Sequence, residues 1–141
     1  MVFFPLMTPP ILVSACLVGL CTRYDGGCRV NAACIAALQG LAWIPCCPEQ
    51  LGGLPTPRPP ADIVGGDGDD VLAGAASIIT KNGVDITASF MRGAWECGKI
   101  ATMLGIRQAF LKARSPSCAV VGVVGVTAAL LRRQGVTLVE F

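Results

Sequence analysis

The stretch Ile11-Leu-Val-Ser-Ala-Cys16 is a short apolar run that ends in a cysteine, and it reads as a buried strand. Working outward from it, strand and helix signals alternate. Asn31 is placed to cap a helix over Ala32 to Leu38, which stops near Gly40. Leu41 to Cys46 (LAWIPC) reads as a second strand, weakened by Pro45. The prolines and glycines of Pro48 to Pro60 (PEQLGGLPTPRPP) predict a loop without regular structure. Gly65 to Asp70 (GGDGDD) reads as an acidic turn and Val71 to Val84 as a short hairpin. Asp85 or Thr87 can start a long helix to Leu104, with Phe90, Ala94, Cys97, Ala101 and Leu104 on one apolar face and Gly105 at its end. A strand from Ile106 or Arg107 to Leu111 follows. Then come a helix over Thr127 to Arg133, stopped by Gly135, and a strand from Val136 to Val139 or Glu140. Strands separated by helices imply an α/β fold: a single three-layer α/β/α domain with a mostly parallel sheet, spanning 1–141.

The bulk composition agrees. With 141 residues, 53% hydrophobic and only 14% charged, the chain suffices for one well-filled core. A net charge of +2 is too small to argue for nucleic acid or an anionic membrane, and no basic run is interleaved with aromatics. The first twenty residues are apolar but carry Pro5, Pro9 and Pro10 and lack a basic start, so neither a signal peptide nor a membrane span fits. Ala119 to Leu131 is too short to span. A cytoplasmic protein is expected.

Eight cysteines stand beside no histidine. Without an export signal, thiolates for metal or redox work are the better reading than disulfides. The absence of histidine removes Ser-His-Asp and Cys-His catalysis, and any metal must be held by sulfur and oxygen, as zinc or an iron–sulfur centre is. There is no Walker or G-x-G-x-x-G motif, and no C-x-x-C pair for a thiol redox protein. In open parallel sheets, sites form beyond the carboxyl ends of the strands. Cys16, Cys47 and Cys118 each follow an expected strand, so the topology predicts that all three reach one edge of one sheet.

Six segments stand out: SACLVG (14–19), RYDGG (23–27), CPEQLGGLPTPRPP (47–60), GVDIT (83–87), KARSPSC (112–118) and GVTAALLRRQGV (125–136). Together they closely resemble the DUF523 family, which includes the bacterial thiouracil desulfidases, from Ile11 to Glu140. The resemblance implies an α/β fold and a [4Fe-4S] cluster on three cysteines, matching Cys16, Cys47 and Cys118, with the fourth iron open to substrate sulfur. Sulfur would leave as hydrosulfide without net redox change, so flavin and nicotinamide are not expected. The family's catalytic acid and serine match Glu49 and Ser115. Family members usually continue the SPSC motif with a glycine and a longer loop, which this chain shortens to AVVGVVGV.

The remaining candidates divide by position. Cys34 and Cys97 lie on helix faces and are expected in the core. Cys21 and Cys28 lie in the glycine-rich loop, where a structural role outweighs lining the site. Cys46 should face away from Cys47, because neighbouring strand residues point to opposite faces. Ser117 is expected to hydrogen-bond a cluster sulfur or the backbone. Arg23, Asp25, Arg58, Lys112 and Arg114 crowd the same motifs, either fixing loops by pairing or contacting substrate. The expected partner is a small thiolated heterocycle. Nucleic acid and membrane are not expected, and a homodimer is left open. The competing reading is a non-catalytic module that carries zinc or a cluster for sulfur handling.

Overall fold

The computed structural model of the chain describes residues 8–141. The first part of the apolar amino-terminal stretch weighed above, 1–7, lies outside them. Among the described residues no helix is long and apolar enough to cross a membrane.

Four strands form the main sheet: β1 (Ile11–Ser14), β2 (Trp43–Cys46), β5 (Gln108–Leu111) and β6 (Thr137–Glu140), in the order β2-β1-β5-β6. Every neighbouring pair is parallel. All four residues of β1 are buried, which explains its unbroken apolar character: it is central and covered on both faces. On one face Ile11, Val13 and Phe110 pack with Cys34 and Leu38, from and just beyond α1 (Ala32–Ala37). On the other, Leu12, Ala109 and Leu111 pack with Cys97 and Ala101 of α4 (Thr87–Leu104) and with Ala128, Ala129 and Leu131 of α5 (Val126–Arg133). The result is an α/β fold in three layers. The strands begin or end one or two residues inside the expected bounds, and Pro45 occupies the edge strand β2.

Local chemistry accounts for the helix ends. Asn31 caps α1, its side chain accepting from the Cys34 amide at 2.9 Å. Asp85 accepts from the Thr87 amide and hydroxyl at the start of α4, and Gly105 ends that helix in the left-handed region, at φ 61°. Phe90, Ala94, Cys97 and Ala101 are buried as the periodicity predicts, whereas Leu104, at the helix end, is 44% exposed.

Three expectations are overturned. The hairpin pairs β3 (Ala61–Val64) with β4 (Ser77–Thr80), antiparallel, and Val71 lies between them on α3 (Gly68–Leu72). The acidic GGDGDD segment starts that helix. Asp67 accepts from the Asp70 amide while the Asp70 carboxylate accepts from the Asp67 amide, a capping box built from aspartates. The proline-rich segment also opens with one helical turn, α2 (Pro48–Leu51), because a proline at the first helical position has no amide to lose and its φ suits the helix.

Glycines bring α2 against α4. A Cβ on Gly93 would collide with the Pro48 carbonyl, and one on Gly52 with the Ser89 carbonyl. Backbone meets backbone there, so the clash has no flexible side chain to absorb it. Gly93→Ala should destabilise the protein by about 1–3 kcal/mol, the range for overpacking, seen as a lower thermal midpoint by circular dichroism. An unchanged midpoint would mean that α2 does not lie on Gly93.

Candidate metal and catalytic site

The strand order contains a switch point. From the central β1 the chain goes to β2 on one side and later returns to β5 on the other, and crevices at such points hold ligands beyond the strands' carboxyl ends. Cys16 sits in the 3-10 turn Ala15–Leu17 that follows β1, Cys47 directly follows β2, and Cys118 ends the segment after β5. All three line one cavity of about 510 Å³, with Glu49, Arg58 and Ser115.

Burial pushes all three thiols above their ordinary range. For Cys16 the neighbouring Cys47 adds to that rise, while Lys112 and Arg23 partly offset it. For Cys47 the Gln50 amide works against burial. For Cys118 the Ser14 hydroxyl works against burial, while Cys16, Glu49 and Cys47 add to it. Without a metal, then, these are protonated thiols sharing one electrostatic environment. A thiophilic centre would displace their protons. Among the described residues no three acidic or sulfur ligands crowd around a point as one metal ion requires. Three soft donors lining one roomy cavity, in a chain without histidine, suit the chemistry of an iron–sulfur centre.

The other cysteines sort by place. Cys34 and Cys97 are fully buried, as expected. Cys46 and Cys97 face each other, Sγ to Sγ at 2.6 Å, and this contact, followed by burial, pushes the Cys97 thiol up. Cys21 and Cys28 are joined as a disulfide, which corrects the reading of the cysteines as thiols in their case. The loop that it closes touches the site, since the Thr22 carbonyl accepts from the Cys47 thiol at 3.8 Å.

Glu49 lies on α2, two residues beyond Cys47, and both of its oxygens are engaged. Oε1 accepts from Arg58 Nε at 2.8 Å and Oε2 from the Ser117 hydroxyl at 3.1 Å. Ser117, expected to hydrogen-bond a sulfur or the backbone, instead turns its hydroxyl onto the carboxylate, a pairing across 68 positions that no local pattern announces. Ser115 Oγ accepts from the amides of Ser117 and Cys118, at 3.1 and 3.0 Å, and so shapes the turn that presents Cys118.

Of the charged candidates, Arg23, Arg58, Lys112 and Arg114 line the cavity, whereas Asp25 does not. Arg23 pairs loosely with exposed Asp25 at 3.4 Å, and the Gly27 amide holds the Asp25 carboxyl below its usual range. Lys112 Nζ donates to the Ala113 carbonyl. Arg114 is exposed, and among the described residues it is the one non-glycine with positive φ, at 57°. Backbone held in this region often marks a functional turn. The loop after Cys118 is fastened by Glu140, whose Oε2 accepts from the amides of Val120 and Val121 at 2.7 and 2.9 Å.

Residues 11–140 match the family described as 2-thiouracil desulfurase. The "Uncharacterized protein YbbK" of Bacillus subtilis (strain 168) is 38% identical over 92% of this chain and 94% of its own. A solved structure described as "[4Fe-4S]-dependent thiouracil desulfidase TudS (DUF523Vcz)" superposes with a TM-score of 0.78 at 38% identity, covering 94% of this chain and 91% of that one.

Proposed function

The chain belongs to the 2-thiouracil desulfurase family, and from that premise we propose that it removes sulfur, as hydrosulfide, from thiolated nucleobases such as 2-thiouracil or 4-thiouracil. The observation that carries this reading is the meeting of Cys16, Cys47 and Cys118, from three separate connections, in one cavity beside a tethered carboxylate.

Cys16, Cys47 and Cys118 would hold a [4Fe-4S] cluster. When bound it would supply Lewis-acid chemistry toward a thiocarbonyl group. Glu49 accepts a proton from the water that attacks the ring carbon. Ser115, whose oxygen already accepts two amides, keeps its hydroxyl hydrogen for the substrate or a proton transfer. Arg23, Lys112 and Arg114 frame the ring's approach, with Asp25 paired to Arg23 outside the cavity. The sum is thiocarbonyl plus water giving carbonyl plus hydrogen sulfide, which balances without an external electron.

A second reading, a cluster-carrying module without catalysis, draws on the short, Glu140-fastened loop after Cys118. Anaerobically reconstituted protein given 2-thiouracil or 4-thiouracil decides between them. The expected result is loss of thiocarbonyl absorbance with stoichiometric sulfide release. Cluster-loaded protein that yields neither would leave the module reading.

A further inference from the structure

Arg58 lines the cavity, yet its donors are turned onto the protein. Nε donates to Glu49 Oε1 at 2.8 Å and Nη2 to the Thr22 carbonyl at 2.8 Å. Nη1 donates to the Pro55 carbonyl at 3.2 Å and to Thr56 Oγ1 at 3.0 Å. The Arg58 amide donates to the Tyr24 carbonyl at 2.7 Å. The side chain is only 5% exposed. One planar guanidinium thus spans α2, the proline-rich segment and the disulfide-closed loop.

We infer that Arg58 is a positioning residue for the desulfidation reaction rather than a substrate ligand: it fixes the Glu49 carboxylate from one side while Ser117 fixes it from the other. This rests on the reading of Glu49 as the base. The need for such a clamp follows from the local fold. Glu49 stands on a helix of four residues, too short to hold a long side chain by itself. A reacting group misplaced by about 1 Å can lose about a hundredfold in rate. The rigid fork of arginine meets Glu49 and Thr22 together, whereas lysine is a point charge on a flexible stem and cannot hold both in one plane.

The test is a double-mutant cycle of Arg58→Lys and Glu49→Gln on anaerobically reconstituted protein, with iron and sulfide content, kcat and KM measured separately for 2-thiouracil. Hydrogen exchange over 22–27 and 48–54 gives a readout besides activity. Arg58→Lys should keep its iron and its KM, lose about 10- to 100-fold in kcat, and exchange faster in those two segments. In the Glu49→Gln background the same substitution should change kcat by less than about threefold, because the group that it positions is gone. A raised KM with unchanged kcat would make Arg58 a substrate ligand and overturn the inference. So would effects that simply multiply in the double variant. Full activity of Glu49→Gln alone would sink the reading of the base, a distinct outcome that takes the inference with it.

Discussion

Cys16→Ser, Cys47→Ser and Cys118→Ser proteins, each reconstituted anaerobically, should hold far less iron and sulfide than the unaltered chain. Losing even an outer-shell partner typically weakens a metal site about 10- to 100-fold, and losing a direct thiolate should exceed that. Serine keeps the shape but offers a hard oxygen in place of a soft thiolate. Cys34→Ala is the control, because Cys34 is buried against β1 and does not line the cavity. The Cys21→Ser/Cys28→Ser pair should also keep its iron, since the disulfide has already consumed both sulfurs. Full iron in Cys47→Ser protein would transfer the ligand role to Cys46, which also borders the cavity.

Glu49→Gln should keep its iron and lose about a hundred- to ten-thousand-fold in kcat, the range for removal of a general base. The geometry makes this a clean substitution. The glutamine carbonyl oxygen can still accept from Arg58 Nε, and the Ser117 hydroxyl can turn to accept from the new amide. What disappears is the capacity to take a proton. Single-turnover assays at matched iron content read the loss, and a rate within about threefold of the unaltered protein would remove Glu49 from the chemistry.

The parts of the molecule legible in the sequence are those that local periodicity or strand ends control. The apolar run ending at Cys16 read as a buried strand, and Gly105 as the stop of the long helix, although the central place of that strand came only with the fold. Given parallel strands, the convergence of Cys16, Cys47 and Cys118 follows from topology alone. What escaped the sequence depends on pairings across space. Prolines that forbid helix interiors hid a helix beginning at Pro48, where proline is welcome. Asp67 and Asp70 read as a solvated turn because a capping box usually ends in Glu or Gln. The Cys21–Cys28 bond needs a loop that folds back on itself. The two-sided grip on Glu49 joins positions 49, 58 and 117, and only the finished fold supplies that arrangement.

Pro45 sits in β2, at an open margin of the main sheet. Margins of this kind offer unpaired amides and carbonyls to any extended chain that drifts alongside, a route to aggregation. A proline there has no amide to offer, so a stray strand docking against β2 finds the ladder broken at its third residue. The residue that weakens the strand as a strand thus guards the sheet against unwanted growth, two positions before Cys47 of the site. Replacing it with valine would improve local strand propensity and, by the same stroke, open that border to self-association.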